Sequence, residues 1–195
     1  RFWLAASTHK GEENFCLKTH LNIKKRFNDL ITIIAPRHID RARKIKSLCE
    51  TYNLNTQIVN KNDLIQENKE IIIINSFGIL NEYFKYAKSV FIGKSILKEL
   101  SNVGGQNPID AAKLGCKIYH GPYVYNFKEI YESLVKNKIS KKIIDHKELA
   151  DNLIEDLNTP KKEEDKISNL INSLGKKTLT DTMHNIDNFL INEIK

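Results

Sequence analysis

The sequence is poor in the residues that announce many common site types. Its 195 residues include one Met, one Trp and four Pro, and only 8% are aromatic. The three cysteines, Cys16, Cys49 and Cys116, are odd in number and widely spaced. That pattern excludes a disulfide frame and points to reduced thiols. No Cys-x-x-Cys and no Asp-x-Asp pair occurs, so no metal is expected. No signal peptide and no apolar run of membrane-spanning length is present, and runs such as Ile71–Ile74 are strand-sized. Internal repeats and low-complexity tracts are absent. There is no nucleophile elbow to support Ser-His-acid chemistry.

What is present is basic charge in one place. Of the net charge of +7, residues 1–65 hold +6, with 12 Lys and Arg against 6 Asp and Glu. A basic first third suits an anionic ligand or an anionic membrane surface. Nucleic acid is set aside, because aromatic-basic interleaving, a recognition-helix pattern and zinc spacing are all lacking.

Short apolar runs alternate with amphipathic stretches. Strands are expected at 2–6, 30–35, 56–59, 70–74, 89–92 and 117–120, with a last short one at Ile143-Ile144. Helices are expected at 12–28, 41–52, 79–87, 107–114, 126–136 (capped by Asn126) and 146–157. This alternation predicts a parallel α/β sheet wound on both faces. Such sheets bind ligands beyond the carboxyl ends of their strands. The segments Ser7–Glu13, Pro36–Arg41, Ser76–Gly78, Gly104–Asp110 and Gly121–Asn126 all follow strands, which points to one cleft. Thr159-Pro160-Lys161-Lys162-Glu163-Glu164 is a polar break, and 163–175 and 178–194 then read as two polar, Asn-rich helices.

Within that cleft, Val103-Gly104-Gly105-Gln106-Asn107-Pro108-Ile109-Asp110-Ala111-Ala112-Lys113-Leu114-Gly115 reads as a glycine loop feeding a helix start, a ready anion site. Asn107 suits the N-cap and Pro108 the first helical position. Asp110 either reaches back to the Asn107 N–H or meets ribose hydroxyls, and the upstream glycines favour the ligand. Arg37, just past a strand end, suits phosphate, because a bare cation at a helix start is unfavourable. His38 either donates to a ligand or packs. Ser7-Thr8-His9 with Glu12 and Glu13 is either a sugar-facing loop or an ordinary helix start. Tyr123 and Tyr125 either line the cleft or cover the core edge. The chain opens directly on a strand-like run without a starting Met, which reads as a piece of a longer protein.

In this order the motifs resemble those of the 3-deoxy-D-manno-octulosonic acid (Kdo) transferases of lipopolysaccharide assembly. They are Ala5-Ala6-Ser7-Thr8-His9-Lys10-Gly11-Glu12-Glu13, Pro36-Arg37-His38 with Arg41, Phe91-Ile92-Gly93, Gly104-Gly105-Gln106-Asn107-Pro108, and Gly121-Pro122 with Asn126-Phe127-Lys128. The resemblance covers residues 1 to about 135. It implies the C-terminal, donor-binding half of a GT-B glycosyltransferase. On that basis residues 1–158 form a Rossmann-like domain with helices on both sheet faces. Residues 159–195 add helices that pack on it or on an N-terminal domain outside this sequence.

The resemblance further implies a CMP-Kdo donor and inverting, metal-independent transfer to the lipid A precursor, with no cofactor. The general base, acceptor site and membrane anchor would lie in the N-terminal half. No catalytic residue is therefore expected in this chain, which should be soluble and bind CMP without turnover. The parent would sit at the cytoplasmic face of the bacterial inner membrane. By residue, the resemblance places Arg37 and His38 on the phosphate and Ser7, Thr8 and His9 near the sugar or phosphate. It places Phe77 and Gly78 on the cytidine wall, and Asn107 and Asp110, behind Gly104 and Gly105, on the loop and ribose. Four positions depart from the family pattern. Lys94 stands where glycine is common, Gln106 where His is common, and Ile79 and Asp110 where Glu is common. Alternatives are a donor domain using a UDP- or GDP-sugar, and a non-enzymatic nucleotide-binding module.

Overall fold

The computed structural model describes residues 1–159 and, beyond them, only Met183, which is helical and exposed. The two helices expected over 163–175 and 178–194 otherwise lie outside the described residues.

Seven strands form one sheet: β1 (Phe2–Thr8), β2 (Ile31–Pro36), β3 (Thr56–Val59), β4 (Ile71–Ile74), β5 (Ser89–Ile92), β6 (Lys117–His120) and β7 (Ser140–Lys142). Their order is β3-β4-β2-β1-β5-β6-β7, and every neighbouring pair is parallel. Six helices connect them: α1 (Glu12–Lys24), α2 (Ala42–Thr51), α3 (Leu80–Tyr86), α4 (Ile109–Lys113), α5 (Lys128–Lys136) and α6 (His146–Leu157).

Strand periodicity explains the layers. In β1, Trp3 and Ala5 face one side of the sheet and Leu4 and Ala6 the other, and all four are buried. The first side is covered by α1, α2 and α6 through residues such as Leu17, Ile45 and Leu153. The second is covered by α3, α4 and α5 through Phe84, Ala112 and Leu134. The four isoleucines of β4 are buried between both layers. This is the doubly wound Rossmann-like α/β fold that the alternating pattern implies.

Three local expectations differ from the structure. The first helix ends at Lys24, not near Asn28, because Arg26 and Phe27 both donate to the Ile23 carbonyl and turn the chain. Phe27 and Leu30 then fold onto the core. The last strand is Ser140–Lys142, not Ile143-Ile144. Ile139 and Ile143 are the buried anchors flanking this edge strand, while Ile144 is exposed. Asn126 does not cap α5. Its amide donates to the Val103 carbonyl at 2.9 Å, and its N–H donates to the Gly104 carbonyl at 2.9 Å.

Helix α6 is capped by Asp145, whose Oδ1 accepts from the N–H groups of Lys147 and Glu148, both at 2.8 Å. Its far end is tied to the sheet. The buried Asp156 carboxylate accepts from Ser89 Oγ at 2.7 Å, Tyr119 Oη at 2.6 Å and Lys117 Nζ at 2.8 Å. All three cysteines are buried and unbridged. Burial raises the Cys49 thiol to about 11, which keeps it protonated and unreactive at neutral pH.

Candidate functional site

The strand order reverses at β1. The chain runs outward from β1 to β2, then returns past it to β5. At such a switch point the loops after adjacent strands part and leave a crevice. The loops here are residues 9–11 after β1, with Ser7 at the register break just before the strand ends, and 93–108 after β5, flanked by Arg37-His38 after β2 and 75–79 after β4.

Glu12, the first residue of α1, knots the two central loops together. Its side chain is fully buried. Oε2 accepts from the His9 N–H at 2.9 Å and the Lys94 N–H at 2.6 Å. Oε1 accepts from the N–H groups of Ser95 at 2.8 Å and Ile96 at 3.1 Å. Burial still outweighs these four bonds and raises the Glu12 pKa. Glu13 is also buried. It accepts from Thr8 Oγ1 at 2.8 Å and pairs with Arg41 Nη2 at 2.7 Å. Both carboxylates are therefore spent on the scaffold, and the sugar-facing alternative for them drops out.

Above this knot lies a cavity of about 330 Å³. Ala6, Ile92, Leu80 and Phe84 form its apolar part, and Ser7, Arg37, Asn81, Gln106, Asn107 and Asp110 bring polar groups, with Gly78 at the edge. Ser7 sits at a register break in β1 with φ of 56°, a left-handed conformation rare for a non-glycine residue. That turn places Ser7 at the cavity rather than in the ladder. Arg37 is fixed by its backbone, whose N–H donates to the Thr8 carbonyl at 3.0 Å. Among the described residues its guanidinium has no acceptor or acid partner. Helix α4 starts at Ile109 with Pro108 at the N-cap, one residue later than expected, and Asn107 Oδ1, two residues before the helix, accepts from the Ile109 N–H at 3.0 Å. Asp110 is exposed at the cavity, and the reach back to the Asn107 N–H is not made.

Of the expected site residues, the cavity thus brings together Ser7, Arg37, Gly78, Asn107 and Asp110. Thr8 is buried with its hydroxyl on Glu13. His9 and His38 pack edge to face, with ring centroids 5.9 Å apart, beside the cavity. His9 is held below the ordinary histidine range by burial, and the charges of Lys94, His38 and Arg41 add to this against the Ser7 carbonyl. Phe77 is exposed next to Gly78.

Gly104 and Gly105 are buried away from the cavity lining. A Cβ on Gly104 would lie 2.2 Å from the Tyr123 carbonyl oxygen, and Gly105 has φ of 94°. Their close approach is to the Tyr123-Val124 backbone, not to a ligand. Asn81, Gln106, Leu80 and Phe84 were not anticipated as lining residues. Gln106 stood within the glycine motif and could have been taken from it. Asn81, one residue into a short helix, gave no signal. Lys94 holds φ of 57°, the conformation that glycine adopts without cost.

Chemically the cavity offers one unpartnered guanidinium, one carboxylate, a hydroxyl and three amides over an apolar floor. That set suits a phosphate joined to a hydroxylated ring system. Among the described residues no group of three or more His, Cys, Asp or Glu is arranged to hold a metal ion, and no helix is long and apolar enough to cross a membrane.

No protein-family model matches the chain. In sequence it is 30% identical over 134 residues to the 3-deoxy-D-manno-octulosonic acid transferase of Haemophilus influenzae, a match covering 69% of this chain and 30% of that protein. It is also 30% identical over 162 residues to the enzyme of the same name from Aquifex aeolicus, covering 82% and 43%. The chain therefore spans well under half the length of these curated relatives. In structure it matches the C-terminal CMP-Kdo binding domain of WaaA from Acinetobacter baumannii with a TM-score of 0.73, over 90% of this chain and 88% of that one, at 22% identity. That likeness establishes the shared fold.

Proposed function

We propose that this chain, a relative in sequence of the 3-deoxy-D-manno-octulosonic acid (Kdo) transferases, is the donor-binding part of such an enzyme and holds CMP-Kdo in the cavity at the β1–β5 switch point. The carrying observation is that the unpartnered Arg37 guanidinium and the Asp110 carboxylate line one cavity. Arg37 binds the CMP phosphate. Asp110 accepts from ribose hydroxyls, and Gly78 with Phe77 borders the cytosine. As the bond from the anomeric carbon to the phosphate oxygen breaks, negative charge grows on the departing phosphate, and Arg37 stabilises it there.

The acceptor is the lipid A precursor. The general base and the contact with the cytoplasmic face of the inner membrane come from residues outside this chain. The transfer inverts the anomeric centre and uses no metal. This chain alone binds CMP and does not catalyse the transfer.

Titration with CMP, followed by calorimetry or amide shifts, tests the reading. Arg37→Ala is expected to weaken CMP binding about ten- to a hundredfold, the worth of one charge-assisted hydrogen bond of roughly 1.5–3 kcal/mol. Equal binding by the variant, or no binding at millimolar CMP, would remove the phosphate assignment. Preference for UMP or GMP over CMP would shift the donor to a UDP- or GDP-sugar.

Asp110 is separable. Asp110→Ala is expected to lower CMP affinity by about three- to tenfold, as for one lost hydrogen bond, and to level CMP with 2′-deoxy-CMP. If the variant keeps the native ratio between those two nucleotides, Asp110 does not read the ribose.

A further inference from the structure

Arg41 belongs to the same sequence motif as Arg37 but does not line the nucleotide cavity. Its side chain is 17% exposed and turned inward onto Glu13, whose own side chain is 2% exposed. Nη2 donates to Glu13 Oε2 at 2.7 Å, and Nη1 is buried with no acceptor among the described residues.

This is a costly place for a cation. Arg41 stands at the N-cap of α2, and neither α2 nor the 3-10 turn Ile39–Arg41 before it has a side-chain cap. The first turn of α2 holds no acid. Positive charge at that helix end is unfavourable, and a buried donor without an acceptor adds to the cost. A buried ion pair is also a poor source of stability, since apolar side chains of like volume often serve as well. What such a pair does provide is a fixed geometry.

The geometry here is a closed circuit. Glu13 Oε1 accepts from Thr8 Oγ1 at 2.8 Å while Oε2 holds Arg41. The Thr8 carbonyl accepts from the Arg37 N–H at 3.0 Å, and the Arg41 N–H donates to the His38 carbonyl at 3.2 Å. One carboxylate thus grips both the residue that anchors Arg37 and the residue that ends its loop. The Arg37–Thr8 bond closes the β1–β2 ladder just past the register break at Ser7. An end rung beside a break opens readily unless the chain beyond it is tied. The turn beyond it has no cap, so Arg41 is that tie.

We propose that Arg41, acting through Glu13, is the positioning residue for Arg37. It touches no ligand, and it sets where the Arg37 guanidinium stands in the cavity. The proposal rests on the donor reading above for what Arg37 binds, and on the hydrogen-bond circuit alone for what Arg41 holds.

The test uses the 195-residue chain, with CMP and cytidine as probes. Arg41→Ala is expected to weaken CMP about tenfold and to change cytidine, which has no phosphate for Arg37, by less than about twofold. In a chain already carrying Arg37→Ala, adding Arg41→Ala is expected to change CMP affinity by less than about twofold, because the group it positions is gone. Without any ligand, exchange of the Arg37 amide hydrogen is expected to quicken about tenfold in Arg41→Ala as the end rung frays. Arg41→Lys keeps a charge for Glu13 but not the fork. It is expected to show the same pattern at about threefold, and it carries the comparison if the alanine variant does not fold. Native CMP affinity in the folded variants would overturn the proposal. So would an equal loss of cytidine and CMP, a further loss of about tenfold on top of Arg37→Ala, or an unchanged Arg37 amide. If the unsubstituted chain binds no CMP but the amide still quickens in the variant, the donor reading falls and the positioning role stands.

Discussion

Replacing Glu12 with glutamine is expected to destabilise the fold by about 3 kcal/mol, because it leaves buried N–H donors facing a group that cannot accept them all. The native carboxylate accepts four backbone N–H bonds, from His9, Lys94, Ser95 and Ile96. Each oxygen takes two. The amide keeps one oxygen and presents an NH₂ to two donors, so two of the four bonds are replaced by opposed hydrogens. The site is sealed, and water cannot compensate. Aspartate, one methylene shorter, reaches at most one of the two loops and is expected to be nearly as damaging. Urea unfolding at pH 7 measures the effect, and hydrogen exchange at Ser95 and Ile96 localises it. A loss below about 1 kcal/mol would mean that the loops hold without the knot. Because Ser7 and Gln106 reach the cavity from the two tied loops, CMP affinity is expected to fall with the knot even in variant molecules that remain folded.

Glu12 also marks the boundary of what can be read from the chain without coordinates. Patterns that depend on the backbone period were legible. The four isoleucines of β4 and the runs of β3, β5 and β6 lie where alternating strands and helices put them, and the parallel doubly wound sheet follows from their sequence. Features that depend on what a side chain meets across the fold were not. Glu12 and Glu13 look like ordinary first-turn acids, and nothing local reveals that one accepts from residues 82 to 84 positions away. Gly104 and Gly105 look like a ligand cradle because glycine signals close approach, but it does not say to what. Here the neighbour is the Tyr123-Val124 backbone. Asn126 has the look of a helix cap, but it is used to tether that same loop. Ile143 and Ile144 look like a strand because both are apolar, whereas on a sheet edge the anchors flank the strand. Arg37 and Asp110 line the cavity as expected of exposed charge just past a strand end or helix start in a parallel sheet.

Acid should unfold this protein from an unusually high pH, and two buried histidines set the window. His20 and His120 are each lowered from the ordinary 6.5 to about 4, in both cases chiefly by burial. His20 faces Glu70, which raises its pKa, and Lys24, which lowers it, and its Nδ1 meets Thr32 Oγ1 at 2.8 Å. Each ring must stay neutral in the folded protein. As pH falls below 6.5 the unfolded chain takes up two protons that the folded chain refuses. Their stabilising effect is therefore complete above about pH 6.5, declines as the pH drops, and is lost by about pH 4. With both gaps near two and a half pH units, each histidine accounts for roughly 3 kcal/mol over that window. Glu12 works in the opposite sense, since burial holds its carboxyl above the usual range and the folded state takes that proton first. It offsets part of the loss near the acid end. Urea midpoints measured between pH 7.5 and 4.5 are expected to fall steadily, with the steepest change below 6. His20→Gln should flatten about half of that slope, since a neutral amide has no proton to gain. A midpoint independent of pH down to 5 would show that the two rings titrate normally and are open to water.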